Sequence, residues 1–97
     1  MKIISRKSTH SISDSYDCLV GEILNRKIKI TYKAYNAVER CDAELFDGDK
    51  WNKILDIKDV GIQPENSAYN IWDENRRKRR ADNIFNVFEN MIYEILK

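Results

Sequence analysis

Proline, glycine, histidine and cysteine are all scarce: one Pro, three Gly, one His and two Cys in 97 residues. So little Gly and Pro, beside 42% hydrophobic residues, excludes a disordered or fibrous chain. Cys18 and Cys41 are too few for a disulfide scaffold, and both are expected to stay reduced, as in the cytoplasm. No apolar run approaches the ~20 residues of a membrane-spanning helix. Met1-Lys2-Ile3-Ile4-Ser5-Arg6-Lys7 turns polar too early for a signal peptide. The expectation is one cytoplasmic domain over residues 1–97, with no membrane association.

The catalytic inventory is equally thin. There is no Gly-rich phosphate loop, no Gly-x-Ser-x-Gly turn and no Cys-x-x-Cys pair. His10 lies in a Ser-rich stretch and reads as a surface residue. With two distant cysteines it makes a poor zinc set, since zinc takes about four ligands. Cys41 falls on an apolar stripe and reads as core. A calcium loop ending its turn at Gly48 would put Ala43 and Leu45 where carboxylates are needed, so it fails. No catalytic residue, metal or cofactor is therefore assigned. One remote alternative remains. Asp56-Ile57-Lys58, preceded by Ile54-Leu55 and with Asp42 or Asp47 upstream, matches the short acidic-x-Lys core of some metal-dependent nucleases. Such a triplet carries weight only in a strand.

What is abundant is charge, 34% of residues, and it nearly cancels at net +1. The cancellation hides blocks. Residues 1–33 carry seven basic and three acidic side chains, residues 34–65 four basic and eight acidic, and residues 66–97 six basic and five acidic. The acidic block supplies a candidate acidic surface of Glu39, Asp42, Glu44, Asp47 and Asp49. Five consecutive cations, Arg76-Arg77-Lys78-Arg79-Arg80, form the candidate partner- or phosphate-binding site, with Trp72 and Tyr69 one to two turns before them. Asp73, Glu74 and Asp82 flank the run and weaken the field a phosphate backbone would feel.

Periodicity favours helices. Ser11 and Asp14 approximate a capping box. Tyr16, Leu19, Val20, Ile23 and Leu24 then follow at helical spacing, interrupted by Gly21, which costs about 1 kcal/mol in a helix. Residues 1–10 read as a strand or a mobile end. Lys27 to Tyr32 alternates, with Ile28, Ile30 and Tyr32 against Lys27, Lys29 and Thr31, which reads as a strand, but Leu24, Ile28, Tyr35 and Val38 also share one helical face, so both periods fit here. Ala34, Val38, Cys41 and Leu45 read as a second helical stripe, stopped at Asp47-Gly48. Asp49 can cap a third helix carrying Trp51, Ile54 and Leu55. A hairpin turning at Asp47-Gly48, between residues 41–46 and 51–57, is the alternative. Residues 62–67, with the only proline, read as a linker before a C-terminal helical segment. Its apolar side includes Phe85, Phe88, Ile92 and Ile95. The expected fold is mainly α, three to five helices with room for a short strand pair. The alternative is α+β, a small antiparallel sheet packed by the C-terminal helix.

His10-Ser11-Ile12-Ser13-Asp14 resembles the start of the first helix in the small four-helix immunity proteins that inhibit nuclease-type colicins. The resemblance covers five residues. The strong acidity and Tyr-Tyr-Pro segment of that family are absent, and a capped helix start accounts for the match. By size, empty catalytic inventory and segregated charge, the chain is expected to be a non-enzymatic inhibitor or regulator of a macromolecular partner, in the manner of an immunity protein, an antitoxin or a phage counter-defence factor. A protein partner leads; a nucleic-acid-binding regulator using residues 76–80 is the alternative.

Overall fold

A computed structural model describes residues 1–10, 14–35, 38–60 and 74–97, the last stretch with side chains from Lys78 onward. Five strands, β1 (Lys2–His10), β2 (Ser15–Ile23), β3 (Arg26–Tyr35), β4 (Val38–Phe46) and β5 (Trp51–Ile57), precede one helix, α1 (Glu74–Leu96). The strands form an antiparallel meander in sequence order. This overturns the mainly α expectation. The α+β alternative comes nearer, but the sheet is the bulk of the molecule rather than a small part of it.

The registers sort the side chains into two faces, because successive residues of a strand point to opposite sides. On the inner face one row runs Arg6–Leu19–Ile30–Ala43–Leu55, with Gly21, Ile28 and Leu45 one step to one side and Ser8, Asp17, Tyr32, Cys41 and Ile57 one step to the other. Helix α1 lies across this face, touching β2, β3 and β4. Its buried stripe is Ala81, Ile84, Phe85, Phe88 and Ile92, spaced by three and four residues as a helix-on-sheet contact requires. Ile95, expected in that stripe, is 49% exposed. The stripe turns away before the last turn, and Leu96 is the residue partly buried there.

The expected helices over β2, β4 and β5 are strands for identifiable reasons. Gly21 is an inner-face residue of β2 whose missing side chain admits a neighbouring strand. A Cβ there would stand 2.6 Å from the Lys2 carbonyl oxygen and 2.9 Å from the Met1 side chain. Asp47-Gly48 is a hairpin turn and not a helix stop. Gly48 takes φ +96°, a conformation that favours glycine. The Asp47 carboxylate accepts bonds from the amides of Asp49 and Lys50 at 2.9 Å and from the Asn52 side chain at 2.8 Å. Those bonds hold its carboxyl below the ordinary carboxylate range. Residues 1–10 hold strand β1, and the proposed linker 62–67 lies outside the described residues. No described helix is long and apolar enough to cross a membrane.

Candidate functional site

The two faces offer different chemistry. On the inner face, at the end where α1 begins, apolar rows give way to polar ones. Asp17 has no exposed surface, and Glu39 is 3% exposed. Burying a carboxylate costs several kcal/mol unless it is paired. Arg6 donates to Asp17 Oδ1 at 3.0 Å and also bonds Asp82 of α1. The Ser8 hydroxyl donates to the same Asp17 oxygen. Burial draws the Arg6 pKa down, but the bonds to Asp82 and Asp17 outweigh it and leave it raised. Glu39 Oε2 accepts from the Tyr32 hydroxyl and from Arg80 Nε at 3.3 Å. Burial first, then the bond to Glu39, pushes the Tyr32 hydroxyl far above its ordinary range. Each buried carboxylate thus has one arginine, and α1 contributes Arg80 to one and, through Asp82 and Arg6, touches the other.

Three sequence expectations change here. Glu39 is not part of an acidic surface; it is an inner-face residue of β4. His10 is not a surface residue, since its side chain is 5% exposed. Its Nδ1 lies 3.1 Å from Ser15 Oγ and its Nε2 3.4 Å from Asp17 Oδ2. Serine, histidine and aspartate are therefore in line, with Ser15 buried. Arg80 is turned inward onto Glu39 and is no free phosphate ligand. Of the basic run only Lys78 and Arg79 are seen exposed. The side chains of Arg76 and Arg77, and all of Tyr69 and Trp72, lie outside what is described. The helix start that likened residues 10–14 to an immunity protein is not found either: His10 ends β1 and Ser15 begins β2.

The outer face carries the second candidate site. Four rows cross it: Lys2–Glu22–Lys27 with the pair Phe46–Trp51 at the same end, then Ser5–Val20–Lys29–Glu44–Lys53, then Lys7–Cys18–Thr31–Asp42–Asp56, then Thr9–Tyr16–Lys33–Arg40. Lys27, Lys29 and Lys33 stand on β3 with no acidic residue on that strand. The Lys29 ammonium lies 4.4 Å from the Trp51 ring centre and that of Lys27 5.4 Å from the Phe46 ring. Lys33 lies 5.8 Å from the ring of Tyr16, and the Phe46 and Trp51 rings meet at 5.1 Å with a 52° tilt. Burial first, then Cys18, raises the Tyr16 hydroxyl above its ordinary value of 10.0. No described element covers this face.

The acidic residues of the outer face are partly spoken for. Asp42 and Asp56 stand opposite each other on β4 and β5, a like-charge pair that destabilises a sheet unless compensated. Lys53 compensates it, at 3.7 Å from Asp42 and 3.8 Å from Asp56. Of the nuclease-like triplet, Asp56 and Ile57 end strand β5 and Lys58 follows it, with Asp42 brought alongside Asp56. Asp47 is not, because it is held in the turn. No group of three or more metal-ligating side chains occurs among the described residues. Asp49 lies exposed in the same turn, and Glu44 sits between Lys29 and Lys53. Cys18, on the outer face, and the buried Cys41, on the inner, are both free thiols. Compared with protein-family models, with curated proteins and with solved structures, the chain finds no match.

Sequence reasoning missed both sites because each is a property of the sheet. The alternation of Lys27, Lys29 and Thr31 was the available signal for the outer face. Phe46 and Trp51 join it only once the turn between them is read as a hairpin.

Proposed function

We propose that the chain is a cytoplasmic, non-enzymatic binding domain that inhibits or regulates a macromolecular partner by docking the outer face of its sheet. One observation carries the reading. The side that α1 does not cover presents partly exposed Tyr16, Tyr35, Phe46 and Trp51 among seven cations (Lys2, Lys7, Lys27, Lys29, Lys33, Arg40 and Lys53) against four acids, Glu22, Asp42, Glu44 and Asp56. Tyr, Phe and Trp are the residues in which binding surfaces are enriched, and the excess of cations around them adds a field that attracts an anionic partner. The inner network supports the same reading from the other side. Its carboxylates are sealed and paired, which suits holding a helix in place and not turning over a substrate.

The test is comparative purification of tagged full-length chain from cells, with retained macromolecules identified by mass spectrometry and nuclease digestion. A Lys29→Glu, Trp51→Ala variant should lose a partner that the parent and an Arg79→Ala variant both retain. Equal retention by all three chains would sink the reading. So would cleavage of an oligonucleotide in the presence of Mg²⁺ that Asp56→Asn abolishes, since the domain would then be an enzyme.

A further inference from the structure

Resting on that reading, we infer that the occupant of the outer face is single-stranded nucleic acid, its bases stacking on the rings of Trp51, Phe46 and Tyr16 and its phosphates meeting Lys27, Lys29 and Lys33. The case begins with charge complementarity. Seven cations against four acids leave this face net +3 while the whole chain is only +1. The acids are also unevenly placed. Asp42, Glu44 and Asp56 lie on β4 and β5, where Lys53 answers two of them. Strand β3 has none. Its three lysines, with Thr31 between Lys29 and Lys33 and with Glu22 and Glu44 opposite Lys27 and Lys29, run from the Phe46–Trp51 corner to Tyr16. From Lys27 to Lys33 the strand covers about 20 Å at the rise of a β-strand, room for several nucleotides.

The rings are the second part. An open sheet face offering aromatic rings between lysines is a surface that splays and stacks unpaired bases, since every base has a π-face. Here the ring faces of Trp51, Phe46 and Tyr16 are each capped by a lysine ammonium. A stacking base would displace these caps. An exposed cation–π contact is worth about 0.5–1 kcal/mol, whereas a base stacked on such a ring is worth about 1–3 kcal/mol. A lysine displaced from a ring keeps its charge and finds a phosphate within reach of its flexible stem. One strand of nucleic acid satisfies ring and ammonium together. A duplex cannot, because its bases are already stacked.

The geometry also distinguishes this surface from the basic run of α1. Arg80 is committed to Glu39. Lys78 and Arg79 belong to the helix that covers the opposite, inner side of the sheet. An oligonucleotide on the outer face does not touch them.

The experiment is fluorescence anisotropy of the full chain with labelled oligo-dT, oligo-rU and a duplex, each of about a dozen nucleotides, at low and near-physiological salt. Single strands should bind more tightly than duplex. The logarithm of affinity should fall with log salt, and Lys27→Ala, Lys29→Ala and Lys33→Ala should each reduce that slope by about 0.7. Trp51→Ala should weaken binding roughly 5- to 150-fold with little change in slope, and Trp51→Phe should restore most of it. Arg79→Ala should change nothing, and melting curves check that each variant is folded. Absence of single-strand binding at low salt, or binding that follows Arg79 instead of Lys29 and Trp51, would overturn the inference. If oligonucleotides fail while a co-purified protein still depends on Lys29 and Trp51, only the nucleic-acid assignment falls. If neither depends on them, the binding reading falls with it.

Discussion

The two faces of the sheet are built from the same five strands, residue by alternate residue, and end up as opposite kinds of surface. The inner face is covered by α1 over β2, β3 and β4. Its apolar rows meet α1, and where its polar residues begin, each buried charge has an opposite charge or a hydroxyl directed at it. No described element covers the outer face, and its charges make looser arrangements: lysines over rings, and one lysine shared between two aspartates. The difference lies in what desolvation enforces. Covered by a helix, an unpaired Asp17 or Glu39 would cost several kcal/mol, so the inner polar groups are closely specified. Facing water, Lys27 or Glu44 is screened and can exchange partners at little cost. A binding surface needs that freedom; a helix anchor needs its absence.

On α1 neighbouring residues meet opposite surroundings. Phe88 is buried against the inner face and Val87 is exposed on the far side. Phe88→Ala should cost about 3–5 kcal/mol, much of the stability of a domain this small, while Val87→Ala should stay within about 0.5 kcal/mol. Denaturant titration of the two variants measures the contrast. Similar losses at both positions would mean that the helix is covered on its outer side as well.

The basic run is divided in the same way. Arg80→Ala leaves Glu39 buried with only the Tyr32 hydroxyl for company. The expected loss is about 2–3 kcal/mol, discounted because Arg80 itself is 22% exposed. Arg79→Ala should be close to neutral. If both proved neutral, the Arg80–Glu39 pair would contribute nothing to anchoring α1.

These contrasts also show what could be read from the sequence. The C-terminal helix was legible because Ile84, Phe85, Phe88 and Ile92 repeat at its period without interruption. Strand β3 was half legible, since Ile28, Ile30 and Tyr32 alternate while Leu24, Ile28, Tyr35 and Val38 share a helical face. Strand β2 was not. Its inner positions are Ser15, Asp17, Leu19, Gly21 and Ile23, so polar residues and a glycine occupy places where a two-residue period needs apolar ones. Tyr16 and Val20 on the opposite face then complete a false helical stripe. Strand β4 was disguised likewise by Glu39, an inner residue that no hydropathy pattern marks as buried. The inner site was hidden for the same reason that β2 was misread. Its polar residues make sense only with Arg6 and Arg80, which arrive from a different strand and from the helix. The outer site was half visible in the lysines of β3.

The inner face should also weaken at alkaline pH. Burial, with a contribution from Asp42, raises the Cys41 thiol far above its ordinary 9.0, and Tyr32 is raised far above 10.0. Both are inner-face groups. In the unfolded chain each loses its proton near its ordinary value while the folded chain keeps it. The stability they confer is therefore whole below pH 9 and is lost as pH rises. The loss should approach about 1.4 kcal/mol per pH unit for each group, starting with Cys41 and steepening as Tyr32 joins. Urea unfolding across this range should show the decline, and Cys41→Ala should delay its onset. An unchanged onset in Cys41→Ala would assign the early loss to groups other than this thiol.

The smallest expected effect lies at the end of the sheet, where the two faces meet. Strands β2 and β3 are joined by the two residues Leu24 and Asn25, with φ of +52° and +63°. Both are left-handed, as a two-residue turn matching the twist of the strands requires. Asparagine tolerates this conformation, but leucine has a Cβ and branch that crowd the backbone, at a cost of about 1 kcal/mol. Leu24 is 48% exposed, so burial offsets only part of that. Leu24→Asn should therefore stabilise the domain by about 0.5–1 kcal/mol, a rise of roughly 2–8 °C in Tm. The opposite result would be informative too. Leu24 lines a cleft with Ile23, Glu89 and Tyr93. A fall in Tm would mean that its side chain packs there more strongly than its backbone is strained, and that the closed inner layer extends around the end of the sheet to include the turn.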